Sequence, residues 1–342
     1  YLTINLYLQA VAEAELKKGI EATKAKGGWA VLMDPYTGEI WALAQTPSFN
    51  PVRYAEYFND RSMQQWTRMK AVTDCFEPGS IFKPITLAIA MKANDELKKK
   101  GKKPLFTPDE KIATSNGWFP GRSAPLKDAR VHGFLNMDLA LQKSSNVYMG
   151  KLAERIVHTM GDHWYRSALY DLFRFGQKTK VELPAESPGL VPTPGKMHPN
   201  GKLEWSVPTP YSLAIGHNIL VNGMQLVSSY AMLANGGYRV QPHLVRKIVK
   251  NGTVILDQTK MGLQEQVLDA ASIKQIVRGM KFVTKEGGTS KRADIMGYTE
   301  AGKSGSAEKV IDGVYSKDQH ISSFLGFAPA DHPRFVLLVS ID

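Results

Sequence analysis

Apolar residues recur at helical spacing through residues 5–24, at Leu6, Leu8, Val11, Ala12, Leu16 and Ile20, which predicts an amphipathic helix at the start of the chain. Two apolar runs follow, residues 29–33 and 39–43, on either side of Asp34-Pro35-Tyr36-Thr37-Gly38. Short apolar runs around a Pro/Gly turn predict a β-hairpin. Helical patterning then dominates residues 71–235, with long apolar stretches at 81–93, 137–156 and 224–234. The first begins just after Pro78-Gly79, and the last is stopped by Asn235-Gly236-Gly237, a strong C-terminal signal. Strand patterning returns at 243–249 and 253–256, which flank the hairpin dipeptide Asn251-Gly252. A helix is predicted over 271–283. Strands are predicted over 298–303, 320–327 and 334–341, the last two joined by a turn at Pro329-Ala330-Asp331-His332-Pro333.

Strands therefore lie at both ends and helices fill the middle. This order fits an α/β chain whose mixed sheet is closed by its two ends, about 1–70 and 240–342, around a mainly helical part, about 71–239. With 342 residues, 43% hydrophobic and 22% charged, the chain has the balance of a globular protein that buries a sizeable core.

The net charge of +11 raises nucleic acid, an anionic membrane face or an acidic ligand as partners. Its one local concentration is Lys98-Lys99-Lys100-Gly101-Lys102-Lys103, which reads as a solvated connector. No zinc-finger spacing, helix-turn-helix or aromatic-basic signature accompanies it, so nucleic acid is not expected. Cys75 is the single cysteine. It excludes an internal disulfide and reads as a small buried hydrophobe. The histidines show no HExxH spacing, and His158 and His163 receive no role. No apolar run reaches the roughly 18–20 residues of a bilayer span, and no signal peptide is visible. The sequence opens at Tyr1-Leu2-Thr3 and stops within an apolar run, so a membrane anchor outside it is expected.

Three short motifs carry chemistry. In Ser80-Ile81-Phe82-Lys83, Ser and Lys three apart share a helix face, so the amine can reach the hydroxyl. A serine hydroxyl needs a base, and a lysine serves if burial or nearby positive charge lowers its pKa. Pro78-Gly79 puts Ser80 near a helix N-terminus, where unpaired N–H groups can steady an oxyanion. In Ser144-Ser145-Asn146, a hydroxyl and an amide can bridge base and substrate. In Lys303-Ser304-Gly305-Ser306, on a predicted strand, Gly305 removes a side chain where a substrate backbone would lie along an edge. Lys303, Ser304 and Ser306 there suit a carboxylate. Each motif alone is weak: Ser-x-x-Lys recurs at Ser306 to Lys309, and Ser-x-Asn at Ser48 to Asn50.

Their order is informative. Ser-x-x-Lys, Ser-x-Asn and Lys-Ser-Gly, on helix, helix and strand, form the set shared by penicillin-binding proteins and serine β-lactamases. The segment from Ala71 through Glu77-Pro78-Gly79-Ser80 to Pro84 resembles the active-serine region of class B penicillin-binding proteins. Leu141-Gln142-Lys143-Ser144-Ser145-Asn146-Val147 is similar to their second motif. Gly287-Gly288-Thr289, Lys291-Arg292-Ala293, Gly297-Tyr298 and residues 301–307 resemble the run into the third motif. Ser323-Phe324-Leu325-Gly326-Phe327-Ala328-Pro329-Ala330 is similar to the next strand and turn. Asp34-Pro35, Gly38-Glu39-Ile40 and Ser48-Phe49-Asn50-Pro51 match the opening hairpin and loop. The likeness covers essentially the whole chain. Phe76 to Ser80, residues 183–190 and Ser323-Phe324 look more like the division-specific (septal) type than the elongation type.

The resemblance implies the penicillin-binding protein/serine β-lactamase-like transpeptidase fold: one domain, with a mixed, mainly antiparallel sheet flanked by helices and a helical subdomain. It implies a serine D,D-transpeptidase that cross-links peptidoglycan stem peptides. Ser80 would be the acylated nucleophile, Lys83 the general base, and Ser144 a proton relay. Asn146 would hold the acyl amide and Lys83, and Lys303 would set the local field. Ser304 and Ser306 would bind the carboxylate, with Gly305 between them, and the N–H groups of Ser80 and Ser306 would form the oxyanion hole. The family needs no metal or organic cofactor. Its partners would be a D-Ala-D-Ala donor, an amine acceptor, β-lactams as covalent inhibitors, and a membrane glycosyltransferase with division proteins. The location would be the extracytoplasmic face of the bacterial cytoplasmic membrane. The chain departs from the family at Ser304 and Ser306, where threonines are usual. The family's preceding anchor, non-catalytic domain and closing helix are expected to lie outside this sequence. A β-lactamase with Glu154 or Glu182 activating water, a D,D-carboxypeptidase, and a β-lactam sensor or scaffold without turnover are the alternatives.

Overall fold

The computed structural model describes residues 1–311 and 314–342. Its strands are β1 (Gly28–Met33), β2 (Ile40–Thr46), β3 (Ile112–Ala113), β4 (Phe134–Leu135), β5 (Lys247–Lys250), β6 (Thr253–Asp257), β7 (Ala301–Ile311), β8 (Val314–Ala328) and β9 (Phe335–Ile341). Its α-helices are α1 (Leu6–Thr23), α2 (Tyr54–Asn59), α3 (Lys70–Thr73), α4 (Lys83–Lys99) and α5 (Met137–Gln142), followed by α6 (Asn146–Met160), α7 (Asp162–Ser167), α8 (Thr209–Leu213), α9 (Gly223–Ala234) and α10 (Ala270–Lys281).

The main sheet has five strands in the order β2-β1-β9-β8-β7. Two sequence-local hairpins, β1–β2 and β7–β8–β9, are joined where β1 pairs with β9, from Gly28 opposite Ile341 to Met33 opposite Val336. Every ladder in this sheet is antiparallel, rather than mixed, and each pair but β1–β9 joins strands consecutive in the chain or separated by a short connection. β7 ends the order and is therefore an edge strand.

The two faces of the sheet are filled differently. Trp29, Val31 and Met33 of β1 enter the large core with α4, α6, α9 and α10, whereas Ala30 and Ala44 meet Leu16 and Ile20 of α1. Alternation with period two accounts for the split, and the alanines let α1 lie close. Asn5 caps α1 by accepting from the Leu8 N–H. The predicted Asn251-Gly252 turn is present, with both residues at positive φ, 50° and 77°.

α4 is buried over nearly its whole first three turns, from Lys83 through Met91. A helix apolar on all sides belongs inside a core. Its N-terminus is thereby fixed against the sheet edge.

The 137–156 stretch, read as one helix, is two. It breaks at residues 143–145, where Ser144 takes a left-handed φ of 55°. Ser145 starts α6 by accepting from the Tyr148 N–H. A short polar side chain that caps competes with continuing the helix, and apolar periodicity does not show that competition.

Candidate active site

Ser80 lies in a turn of 3-10 helix, Gly79–Phe82, that leads directly into α4. In 3-10 geometry residues i and i+3 eclipse, so Ser80 and Lys83 stack on one side more directly than on an α-helix. The turn is wedged between two other segments. Gly79 has φ 56° and donates its N–H to Gly216 O at 3.0 Å. A Cβ on Gly216 would meet Gly79 O at 2.3 Å, and one on Gly305 of β7 would meet Ile81 N at 2.8 Å and Pro78 O at 3.1 Å. Backbone thus touches backbone on both sides of the Ser80 turn. Behind it, Tyr230 of α9 donates to Ile81 O at 2.7 Å, and Glu77 accepts from the Asn218 N–H at 2.7 Å.

Gly305 therefore has a reason different from the one expected. Its missing side chain admits the Ser80 turn itself.

Lys83 is fully buried. Its Nζ donates to Ser144 O at 2.5 Å and to Ser144 Oγ at 3.0 Å. The left-handed backbone of Ser144 is what turns both its oxygens to the amine. Such strain in a non-glycine residue persists only where its surroundings hold it. Burial, then the positive charge of Lys303, push the Lys83 pKa well below the ordinary lysine range, and Asp128 opposes the shift. An unprotonated amine has two N–H bonds and one lone pair. With both N–H groups given to Ser144, the lone pair is left to take a proton.

Lys303 is also fully buried, and burial lowers its pKa to about 7. Its Nζ donates to Ser304 O at 2.8 Å and reaches Thr289 Oγ1 at 3.5 Å. Along β7, Lys303, Gly305 and Ala307 are buried, while Ser304 is half-buried and Ser306 exposed. Period two therefore sets the two hydroxyls on one side of the strand and the lysine on the other. Ser304 Oγ accepts from Ser290 Oγ at 2.7 Å, and Ser306 Oγ lies 3.3 Å from Ser322 Oγ.

Asn146 is the first residue of α6. Its Nδ2 donates to Lys127 O at 2.8 Å rather than to Lys83. The residue that anchors this turn is one that the motifs do not contain. Asp128 accepts from Ser145 Oγ at 2.6 Å and from the N–H groups of Asn146 at 2.6 Å and Val147 at 3.1 Å. A carboxylate on the first N–H groups of a helix is a charged cap. It also supplies the negative field felt by Lys83. No spacing rule pointed to it, because it lies in an irregular segment far upstream of the serine it holds.

The repeated motifs resolve by geometry. Ser306 and Lys309 are on a strand rather than a helical turn, and Lys309 pairs with Asp342. Asn50 caps a short 3-10 turn through the Val52 N–H. Cys75 is half-buried, donates to Ser187 Oγ at 3.1 Å, and has its pKa raised by burial, the opposite of an activated thiol. Glu154 pairs with Lys151, and Glu182 accepts from the Leu244 N–H and Gln258. Among the described residues no group of three or more His, Cys, Asp or Glu could hold a metal ion, and no helix is long and apolar enough to cross a membrane.

Residues 28–342 match the family profile described as the penicillin binding protein transpeptidase domain. The whole chain aligns at 30% identity with the probable peptidoglycan D,D-transpeptidase PenA of Neisseria meningitidis, covering 52% of that protein. It aligns at 30% with the peptidoglycan D,D-transpeptidase FtsI of Buchnera aphidicola, covering 54%. The chain thus spans about half the length of these curated relatives. Among solved structures, the apo transpeptidase domain of Burkholderia pseudomallei penicillin-binding protein 3 superposes with TM-score 0.77 at 27% identity, over 100% of this chain and 87% of that one. Penicillin-binding protein 3 of Mycobacterium tuberculosis, complexed with aztreonam, gives TM-score 0.82 at 27% identity, over 100% and 72%. With its full length aligned and the active-serine, Ser-x-Asn and Lys-Ser-Gly segments gathered at one sheet edge, the chain belongs to the penicillin-binding protein transpeptidase domain family.

Proposed function

We propose that the chain is a serine D,D-transpeptidase of peptidoglycan, working through an acyl-enzyme on Ser80. The observation that carries this reading is the buried Lys83, whose amine spends its two N–H bonds on Ser144 and sits one 3-10 turn from Ser80.

Ser80 Oγ attacks the carbonyl between the two D-alanines of a stem peptide, and its proton passes to Lys83 Nζ. The N–H groups of Ser80, at a helix start, and of Ser306, on the edge strand, receive the oxyanion. The C–N bond then breaks. The departing D-alanine nitrogen takes a proton delivered through Ser144 Oγ, which restores the neutral Lys83. The amine of a second stem peptide attacks the Ser80 ester, forms the new amide and returns the proton to Oγ. Ser304 and Ser306 hold the donor's terminal carboxylate, while Lys303, buried on the other side of β7, sets the local field. Asn146 holds the acyl amide. A β-lactam enters as the donor does, but its opened ring stays attached, so the ester on Ser80 persists.

Glu154 and Glu182, the two carboxylates considered for water activation, are occupied elsewhere. This supports transfer to an amine over β-lactamase hydrolysis. The match to proteins named FtsI and penicillin-binding protein 3 supports a septal role at the outer face of the cytoplasmic membrane, beside a membrane glycosyltransferase. The test is a thioester analogue of the D-Ala-D-Ala donor, supplied with and without a D-amino acid as acceptor. Acceptor-dependent formation of the coupled product is expected. Hydrolysis alone, at a rate independent of the acceptor, would make the chain a carboxypeptidase.

A further inference from the structure

A cavity of about 390 Å3 lies between α9, the segment 172–180 and the segments 239–242 and 264–265. Ser80, Lys83, Ser144 and Lys303 do not line it, so it is separate from the candidate active site. Its lining contains Arg174, Lys178, Lys180 and Arg239, against the single acid Glu265.

Arg239 is built into the wall. It donates to the carbonyls of Leu172 and Asp171 and pairs with Glu265 at 2.8 Å. Burial, and next the repulsion of Arg174, lower its pKa, while Glu265 and Asp171 oppose this. The two guanidinium groups therefore share a field that Glu265 does not cancel. The loop that brings the other cations is held in place from beneath: the buried Glu186 accepts from the Thr179 N–H and hydroxyl and from the Lys180 N–H. The side-chain amides of Gln177, Gln225 and Gln241 all donate into the protein. A guanidinium fixed in the wall, and a loop held from beneath that carries three more cations to the rim, make a cavity suited to an anion.

We propose that this cavity is a second binding site, for a small anion bearing a diphosphate. Glu265 answers one of the four lining cations, and three remain. A carboxylate would neutralise only one more. A phosphate monoester brings a charge of about −1.5 to −2, and a diphosphate brings more, matching the residual field. Arginine forks suit phosphate oxygens, with lysine as a point charge. The site is independent of the acyl-transfer chemistry at Ser80.

The test is calorimetric titration of the chain with inorganic pyrophosphate at fixed ionic strength. It uses the native protein, Lys178→Ala, Lys180→Ala, and a control with Lys98, Lys99, Lys100, Lys102 and Lys103 all changed to Ala. Lys178 and Lys180 are exposed at the mouth of the cavity, so their removal leaves the fold intact. Saturable binding at one site is expected, weakened about tenfold by each single substitution and unchanged in the control. Acylation of Ser80 by benzylpenicillin should be the same in all four proteins. Displacement of pyrophosphate by phosphatidylcholine vesicles carrying phosphatidic acid would assign the site to a lipid headgroup, and no displacement to a free anion. Absence of saturable binding, or a loss in the control as large as in Lys178→Ala, would overturn the proposal in favour of diffuse attraction to a basic chain.

Discussion

Replacing Gly305 by alanine isolates the contact between the edge strand and the nucleophile turn. Gly305 is not at positive φ, so alanine brings no backbone strain, and the whole effect comes from the added methyl. That Cβ would stand 2.8 Å from Ile81 N, 3.1 Å from Pro78 O and 3.1 Å from Ile81 Cγ2. Ordinary contact begins near 3.4 Å, so turn and strand must part by about 0.6 Å, and overpacking of this kind costs about 1–3 kcal/mol. The same shift moves Ser80 relative to the Ser306 N–H and Lys83. A misplacement approaching 1 Å costs on the order of 100-fold in rate, so acylation should fall about 10- to 100-fold. The assay is the second-order rate constant for a fluorescent penicillin, with the thermal midpoint measured on the same samples. Both should fall together. A variant that acylates at the native rate would refute the wedge. A variant that loses acylation at native stability would instead return Gly305 to its expected role of clearing space for a substrate backbone.

Three further outcomes follow from the charged groups. Acylation should fall as pH drops through the depressed pKa of Lys83, because the protonated amine has no lone pair for Ser80; a rate that stays flat down to the ordinary carboxylate range would exclude Lys83 as base. Lys303→Met should raise the thermal midpoint at neutral pH while slowing acylation. An unfolded lysine holds its proton up to about pH 10.4, but Lys303 in the fold holds it only up to about 7. Its contribution to stability is thus complete above the unfolded value and is lost as pH falls to about 7, a cost of a few kcal/mol at most; a midpoint lowered by the substitution would contradict this. Asp128→Asn should cost about 1–2 kcal/mol, as for loss of a helix cap. It should also move the acidic limb of the acylation profile to lower pH, since a charge that favoured protonated Lys83 is gone; an upward shift would count against that electrostatic link.

The sequence was most legible where a side chain does its work within its own turn. Ser80 and Lys83 lie three apart on one short helix, and their partnership follows from that spacing alone. The strands that close the sheet were placed by their apolar runs, with β7 beginning at Ala301 rather than 298 and both β7 and β8 longer than expected because their outer halves carry mixed polarity. The long-range fits were not legible. Gly216 and Gly305 are required by backbone that approaches from far along the chain, and an isolated glycine in a sequence does not say what comes near it. Asp128 reaches the α6 N-terminus across an irregular segment with no period to follow. Ser144 read as helical because its apolar neighbours keep helical spacing, yet the capping hydroxyl of Ser145 ends that helix and turns Ser144 toward Lys83. Period two placed Ser304 and Ser306 on one side of β7, but only the structure shows Ser290 already donating to one of them.

The central claim is that Ser80 is acylated and stays so until an amine arrives. Intact-mass spectrometry of the chain with benzylpenicillin, followed over hours beside Ser80→Ala, tests it most directly. The account predicts one adduct of the mass of intact penicillin, persistent on the native protein and absent from the variant. An adduct on folded Ser80→Ala, or none on the folded native protein, would contradict it.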